Sequence, residues 1–120
     1  MPRRDDTVLL RDILDAINQI ESYLVNVSYQ TFIETPLLQD GVMHRLEIIG
    51  EASRNLSEAF REQHSDIPWQ DIIGMRNRIA HAYFAVDLRA VWDTVTLDLS
   101  DLKLWIMTVL GISRAAGPDS

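Results

Sequence analysis

The chain has 120 residues, 47% of them hydrophobic, and its 11 lysines and arginines against 18 aspartates and glutamates give a formal charge of −7. That length buries one core without disulfides or a structural metal, and the composition is too apolar for a disordered solvating segment. With no cysteine, a disulfide scaffold, a zinc ribbon, a thiol redox motif and a cysteine nucleophile are all excluded, and a reducing cytoplasm is the expected setting.

From the N-terminus, MPRRDDTVLL interrupts its apolar residues with charge and does not read as a secretory signal. Leu10, Ile13, Ile17, Ile20 and Leu24 then step by three and four, which predicts a helix from about Asp6 to Asn26 with one apolar stripe. Ser28 to Thr35 reads as a short helical turn or connector. A second long helix is expected after Pro36, with Val42, Leu46, Ile49, Leu56 and Phe60 in the same rhythm and Ser53 as its one polar step, fading in REQHSD.

Asp66 and Pro68 predict a third helix start, since aspartate caps free amides and proline sits easily in a first turn. This helix is expected to run to Tyr83 or Phe84. After Asp87, Leu88, Trp92, Val95, Leu99, Leu102, Ile106 and Val109 alternate steps of four and three, a bundle or coiled-coil seam closed by Gly111. The most apolar run, Leu104 to Ile112, is too short to span a bilayer. The expectation is an all-α bundle of four to five helices in one domain, residues 1–112, with 113–120 as a flexible tail. Gly50 and Gly74 inside predicted helices point to close helix approach, and Trp69, Trp92 and Trp105 to core or interface anchors.

The charge is unevenly placed. Residues 68–84 carry two arginines against one aspartate, whereas each flanking segment is net negative. An acidic chain disfavours non-specific nucleic-acid binding, so any phosphate chemistry is confined to this one stretch. It contains Met75-Arg76-Asn77-Arg78-Ile79-Ala80-His81-Ala82-Tyr83. A guanidinium holds a phosphate through paired hydrogen bonds, and an imidazole titrating near neutrality moves a proton onto or off a ribose hydroxyl. By composition an Arg-x4-His pair alone is expected roughly 0.2 times, whereas Arg-Asn-x3-His-x-Tyr falls to the order of 0.0002.

On a regular helix Arg76 and His81 lie about 140° apart, so one helix does not bring both onto one phosphate. Either the helix loosens near its end or a second copy completes the site across a two-fold axis, and the homodimer is the favoured arrangement. Asn77 reads as a group orienting the site or a solvated amide, and Arg78 as an RNA-backbone contact or a surface arginine. Glu51 is a candidate for pairing with an arginine beside the motif. His44, Glu47 and Glu51 share a helix face, but their order and number do not match a carboxylate-bridged centre, and no metal or cofactor is expected.

The runs IIGEAS at Ile48–Ser53 and IPWQDIIGMRNRIAHAYF at Ile67–Phe84, with Val86-Asp87 and Val91-Trp92, resemble the HEPN superfamily and, within it, the HepT-like toxins of bacterial and archaeal toxin–antitoxin pairs. The likeness covers nearly the whole chain. It implies a HEPN-type bundle that dimerises, metal-independent RNA endonuclease activity, and roles for Arg76 and His81 as the arginine and histidine of the family's Arg-x4–6-His motif. It further implies a minimal nucleotidyltransferase antitoxin as partner and Tyr83 as the acceptor of AMP. A catalytically silent helical module that binds a nucleotidyltransferase or a nucleotide is the alternative reading.

Overall fold

The computed structural model describes residues 5–75 and 87–112. Among them every regular element is helical and no strand occurs: α1 (Asp6–Tyr23), α2 (Tyr29–Ile33), α3 (Pro36–Asn55), α4 (Glu58–Gln63), α5 (Trp69–Ile73), α6 (Leu88–Asp93) and α7 (Leu99–Leu110), the last two joined by a π-helical segment, Thr94–Asp98. Helices α1 and α3 form the main pair, with α7 laid against α1 and α2 and α5 against α3. The all-α bundle expected from the sequence is what forms.

The α1 stripe does its expected work, with Leu10, Ile13, Ile17 and Ile20 all buried. Asp5 starts the helix, its Oδ1 accepting from the Thr7 amide at 2.9 Å. The helix ends at Tyr23, three residues short of expectation. Asn26 adopts φ 59°, a left-handed conformation that asparagine tolerates better than most residues and that turns the chain toward α2. Ser28 caps α2, accepting from the Thr31 amide at 3.1 Å.

The expected single helix through Phe60 is two. At Leu56 the backbone becomes extended, φ −60° and ψ 147°, and Ser57 caps a new helix by accepting from the Phe60 amide. The break is imposed from far away. Asp6 in the first turn of α1 accepts from the Ser57 amide at 2.8 Å and from the Ser57 hydroxyl at 2.7 Å, one contact through each carboxylate oxygen.

The third helix also starts differently. Pro68 occupies the cap position with no side-chain cap bond, and the Trp69 amide reaches Ile67 O at 2.8 Å, so Asp66 is not the cap. The helix pauses at Gly74, whose amide donates to Gln70 O at 2.9 Å. A Cβ there would meet Gln70 O at 3.1 Å and Asp71 O at 3.6 Å. Among the described residues no other helix comes within 4 Å of a Cβ placed there.

The last rod departs from a plain seam. Val91, absent from the expected stripe, is buried with Leu99, Leu102 and Ile106, whereas Trp92 and Val95 are half-buried and Val109 is 36% exposed. The π segment explains this. Eight residues of regular helix would leave Val91 and Leu99 about 80° apart, and the one extra residue accommodated by a π turn brings them to within about 20°. Gly111, at φ 72°, ends the rod, with Ile112 N donating to Met107 O and Gly111 N to Thr108 O, a Schellman closure.

Aromatic residues bind the short helices to this rod. Trp69 is buried, and it meets half-buried Trp105 edge-on at 5.3 Å. Phe60 and His64 complete that cluster, and the Trp69 indole N–H donates to His64 O at 3.0 Å. No helix among the described residues is long and apolar enough to cross a membrane.

Candidate active site

Arg76, Asn77, Arg78, His81 and Tyr83 lie outside the described residues, as do the expected helix end at Tyr83 or Phe84 and the tail 113–120. The structure describes the frame that holds the motif. On the N-terminal side Met75, the residue before Arg76, is buried in the core with Ile72 and Trp69. On the C-terminal side Asp87 caps α6, its Oδ1 accepting from the Ala90 amide at 3.3 Å, and Val91 one turn later is buried. Both ends of residues 76–86 are therefore tied to packed structure.

Helix α3, which packs against α5, carries the stretch Ile48–Ser53. Ile49, Gly50, Ala52 and Ser53 are buried, and the Ser53 hydroxyl is fully enclosed with no hydrogen-bond partner among the described residues. Glu51 projects outward and meets Arg54 Nη2 at 3.4 Å, both side chains well exposed. Among the described residues the arginine it meets is on its own helix, and so exposed a pair contributes little to stability. Among the described residues no three histidine or acidic groups come together to hold a metal ion. His44 is exposed on α3.

A cleft of about 460 Å³ opens beside Met75. Its floor includes Met75, Leu99 and Leu102, and its rim carries Asp71, Asp98 and Asp101. Of these, Asp98 and Asp101 give the rim a negative character that disfavours phosphate.

The other flank has different chemistry. On α6 the Arg89 guanidinium lies over the Tyr29 ring of α2, 4.8 Å from its centroid. Tyr29 meets Trp92 edge-on at 5.8 Å, and Trp92 packs on Phe32 at 5.3 Å. Arg89 Nε donates to Asp93 Oδ1 at 3.1 Å. Sequence reasoning missed this group. Arg89 and Trp92 share α6 at helical spacing, but nothing local in the sequence announces that α2 brings Tyr29 beneath them.

A model of the family described as "Ribonuclease HepT-like" matches residues 13–109, an interval that contains the whole frame and the motif. The chain belongs to the HepT-like ribonuclease family. A Methanocaldococcus jannaschii protein that bears an RNase name is 36% identical over 103 residues, covering 86% of this chain and 94% of that protein. A Thermococcus cleftensis protein that bears the name ribonuclease HepT is 40% identical over 101 residues, 84% of this chain and 92% of that one. A second M. jannaschii protein, whose name joins a gamma-glutamylcyclotransferase to an RNase, is 39% identical over 108 residues, 90% of this chain but 49% of its own length. No solved structure matches the chain. Membership in the HepT-like family accords with the helical bundle, and its matched interval places Arg76, His81 and Tyr83 inside the shared domain.

Proposed function

We propose that the protein is an RNA endonuclease, the toxin of a toxin–antitoxin pair, and that Arg76 and His81 carry the reaction without a metal ion. The observation that carries this reading is the composite Arg76-Asn77-x3-His81-x-Tyr83 inside the interval matched by the HepT-like family. Arg76 holds the scissile phosphate and offsets the charge that builds on its oxygens. The ribose 2′-hydroxyl attacks phosphorus and passes its proton to solvent water, and the 5′ oxygen departs as His81 supplies a proton to it. The products are a 2′,3′-cyclic phosphate and a 5′-hydroxyl end. Asn77 orients the site and Arg78 meets the RNA backbone.

The separation of about 140° that a regular helix would give Arg76 and His81 supports a two-fold homodimer in which two motifs face each other across a cleft. The RNase names of the relatives support the substrate class. A minimal nucleotidyltransferase is the proposed antitoxin and Tyr83 the proposed acceptor of AMP, which would set a bulky anion beside Arg76 and shut out substrate.

The test is cleavage of single-stranded RNA by purified protein in EDTA. Arg76→Ala and His81→Ala are each expected to lower the rate at least about 100-fold, the usual scale for losing a charge-stabilising group or a general acid. RNA in which the 2′-hydroxyl is replaced by hydrogen should resist cleavage. Equal cleavage by wild type and both variants refutes the assignment. Mass analysis of protein co-expressed with a neighbouring nucleotidyltransferase should show added AMP on wild type and none on Tyr83→Phe.

A further inference from the structure

We infer that Arg89, seated on Tyr29 beside Trp92, is an RNA-contacting residue that stacks an unpaired nucleobase on the guanidinium side turned away from Tyr29. The inference rests on the ribonuclease reading for its substrate class, but its observations lie outside the catalytic motif. The Arg89 side chain is 65% exposed although its guanidinium sits 4.8 Å above an aromatic ring. Among the described residues no other cation lies over an aromatic ring.

Three features suit it to single-stranded RNA. The first is preorganisation. Tyr29 supports the guanidinium from below and Asp93 Oδ1 holds its Nε at 3.1 Å, so much of the rotamer freedom of a long side chain is already spent before RNA arrives. Tyr29 is itself fixed by the edge-on contact with Trp92, which packs on fully buried Phe32.

The second is residual donor capacity. Asp93 engages Nε, and the two terminal nitrogens have no partner among the described residues, which leaves donors for the edge of a base or an adjoining phosphate. The Asp93 partner is 44% exposed, and an ion pair this exposed contributes little, so it orients Arg89 without competing strongly with RNA. Recognition of unpaired RNA relies on splayed bases stacked on aromatic rings and on arginine planes, and here a guanidinium lies over an aromatic ring.

The third is location. Arg89 is eight residues after His81, so the two Cα atoms lie within about 29 Å whatever the intervening path. A short strand held at the catalytic histidine can reach it. Asp98 and Asp101 on the rim of the α5–α7 cleft disfavour phosphate there, and the α2–α6 side carries Arg89.

Binding is measured by fluorescence anisotropy of labelled oligouridylate, with the full-length chain on a His81→Ala background so that cleavage does not interfere. Cleavage by the otherwise unaltered protein is measured separately. Adding Arg89→Ala is expected to weaken binding about tenfold, within the usual range for loss of one stacked base. Arg89→Lys, which keeps the charge but lacks the plane, should show most of that loss. Tyr29→Phe, which keeps the ring, should bind within twofold of the background protein, and Tyr29→Ala should weaken binding as Arg89→Ala does. The thermal midpoints of the Arg89 variants should stay with that of the parent.

Full restoration by lysine overturns the stacking assignment. So does unaltered binding by Arg89→Ala, or a loss of binding that follows a fallen midpoint. A protein that binds RNA through Arg89 but cuts none refutes the ribonuclease reading and leaves the contact standing. One that cuts RNA with equal affinity in the presence and absence of Arg89 does the reverse.

Discussion

Asp6 is expected to be worth far more than an acidic residue in the first turn of a surface helix. Its carboxylate accepts two hydrogen bonds from Ser57, from the amide at 2.8 Å and the hydroxyl at 2.7 Å, and that hydroxyl in turn accepts from the Phe60 amide at 3.1 Å to cap α4. Hydrogen bonds to a charged partner contribute about 1.5–3 kcal/mol each when well made, and loss of the carboxylate leaves a half-buried amide without its acceptor. Water replaces part of this because both residues are only half-buried. The expected cost of Asp6→Ala is therefore about 2–3 kcal/mol. Asp6→Asn keeps one acceptor oxygen for the amide and should lose about 1 kcal/mol.

Urea unfolding at fixed protein concentration reads these values as a shift in midpoint at constant slope, the fixed concentration keeping any subunit association from entering the comparison. Ser57→Ala alone loses both the clamp hydroxyl and the α4 cap. In the double variant the two losses should fall short of additivity by about 1 kcal/mol or more, because both remove the same contact. An Asp6→Ala protein within 0.5 kcal/mol of wild type, the range of ordinary surface substitutions, refutes the clamp. The clamp fixes where α3 ends and α4 begins.

Gly111→Ala should cost about 1 kcal/mol in the same assay, because φ 72° is strained for any residue with a Cβ even though nothing among the described residues lies within 4 Å of one placed there. An unchanged midpoint would show that the rod ends by another closure. Ser53→Ala should leave stability unchanged or raise it by up to about 1 kcal/mol, since it removes an enclosed hydroxyl that has no partner among the described residues. A loss above 1 kcal/mol would mean that the hydroxyl is satisfied in solution.

Much of this architecture is legible in the sequence, and the departures share a cause. The α1 stripe at Leu10, Ile13, Ile17 and Ile20 was readable because burial there follows helical period alone. The break after Asn55 was not, since the rhythm of Leu46, Ile49, Leu56 and Phe60 continues through it and the decisive partner, Asp6, is 51 residues away. Leu88, Trp92 and Val95 looked like a seam for the same reason. A period cannot reveal a π turn that moves Val91 into line with Leu99. The candidate catalytic residues stood out because they crowd into one run with an improbable spacing, Arg76 to Tyr83. The Arg89 group did not, because only folding brings α2 beneath α6.

The charge distribution leads to a last prediction, about salt. An overall charge of −7 and an acidic rim beside Met75 leave few cations to replace condensed ions on RNA. Arg54 and Lys103 are paired with acidic side chains, and Arg89 is assigned chiefly to base stacking. If Arg76 and Arg78 are the phosphate contacts and a dimer doubles them, four phosphates are neutralised per bound strand. Each contributes about −0.7 to the slope of log affinity against log salt for single-stranded nucleic acid, so the slope should be about −3. Anisotropy titrations of His81→Ala between low and moderate salt measure it, and Arg78→Ala should bring it to between −1 and −2. A slope near zero in the unsubstituted-arginine protein would mean that neither arginine meets phosphate, whereas one steeper than about −5 would mean that cations beyond Arg76 and Arg78 meet it.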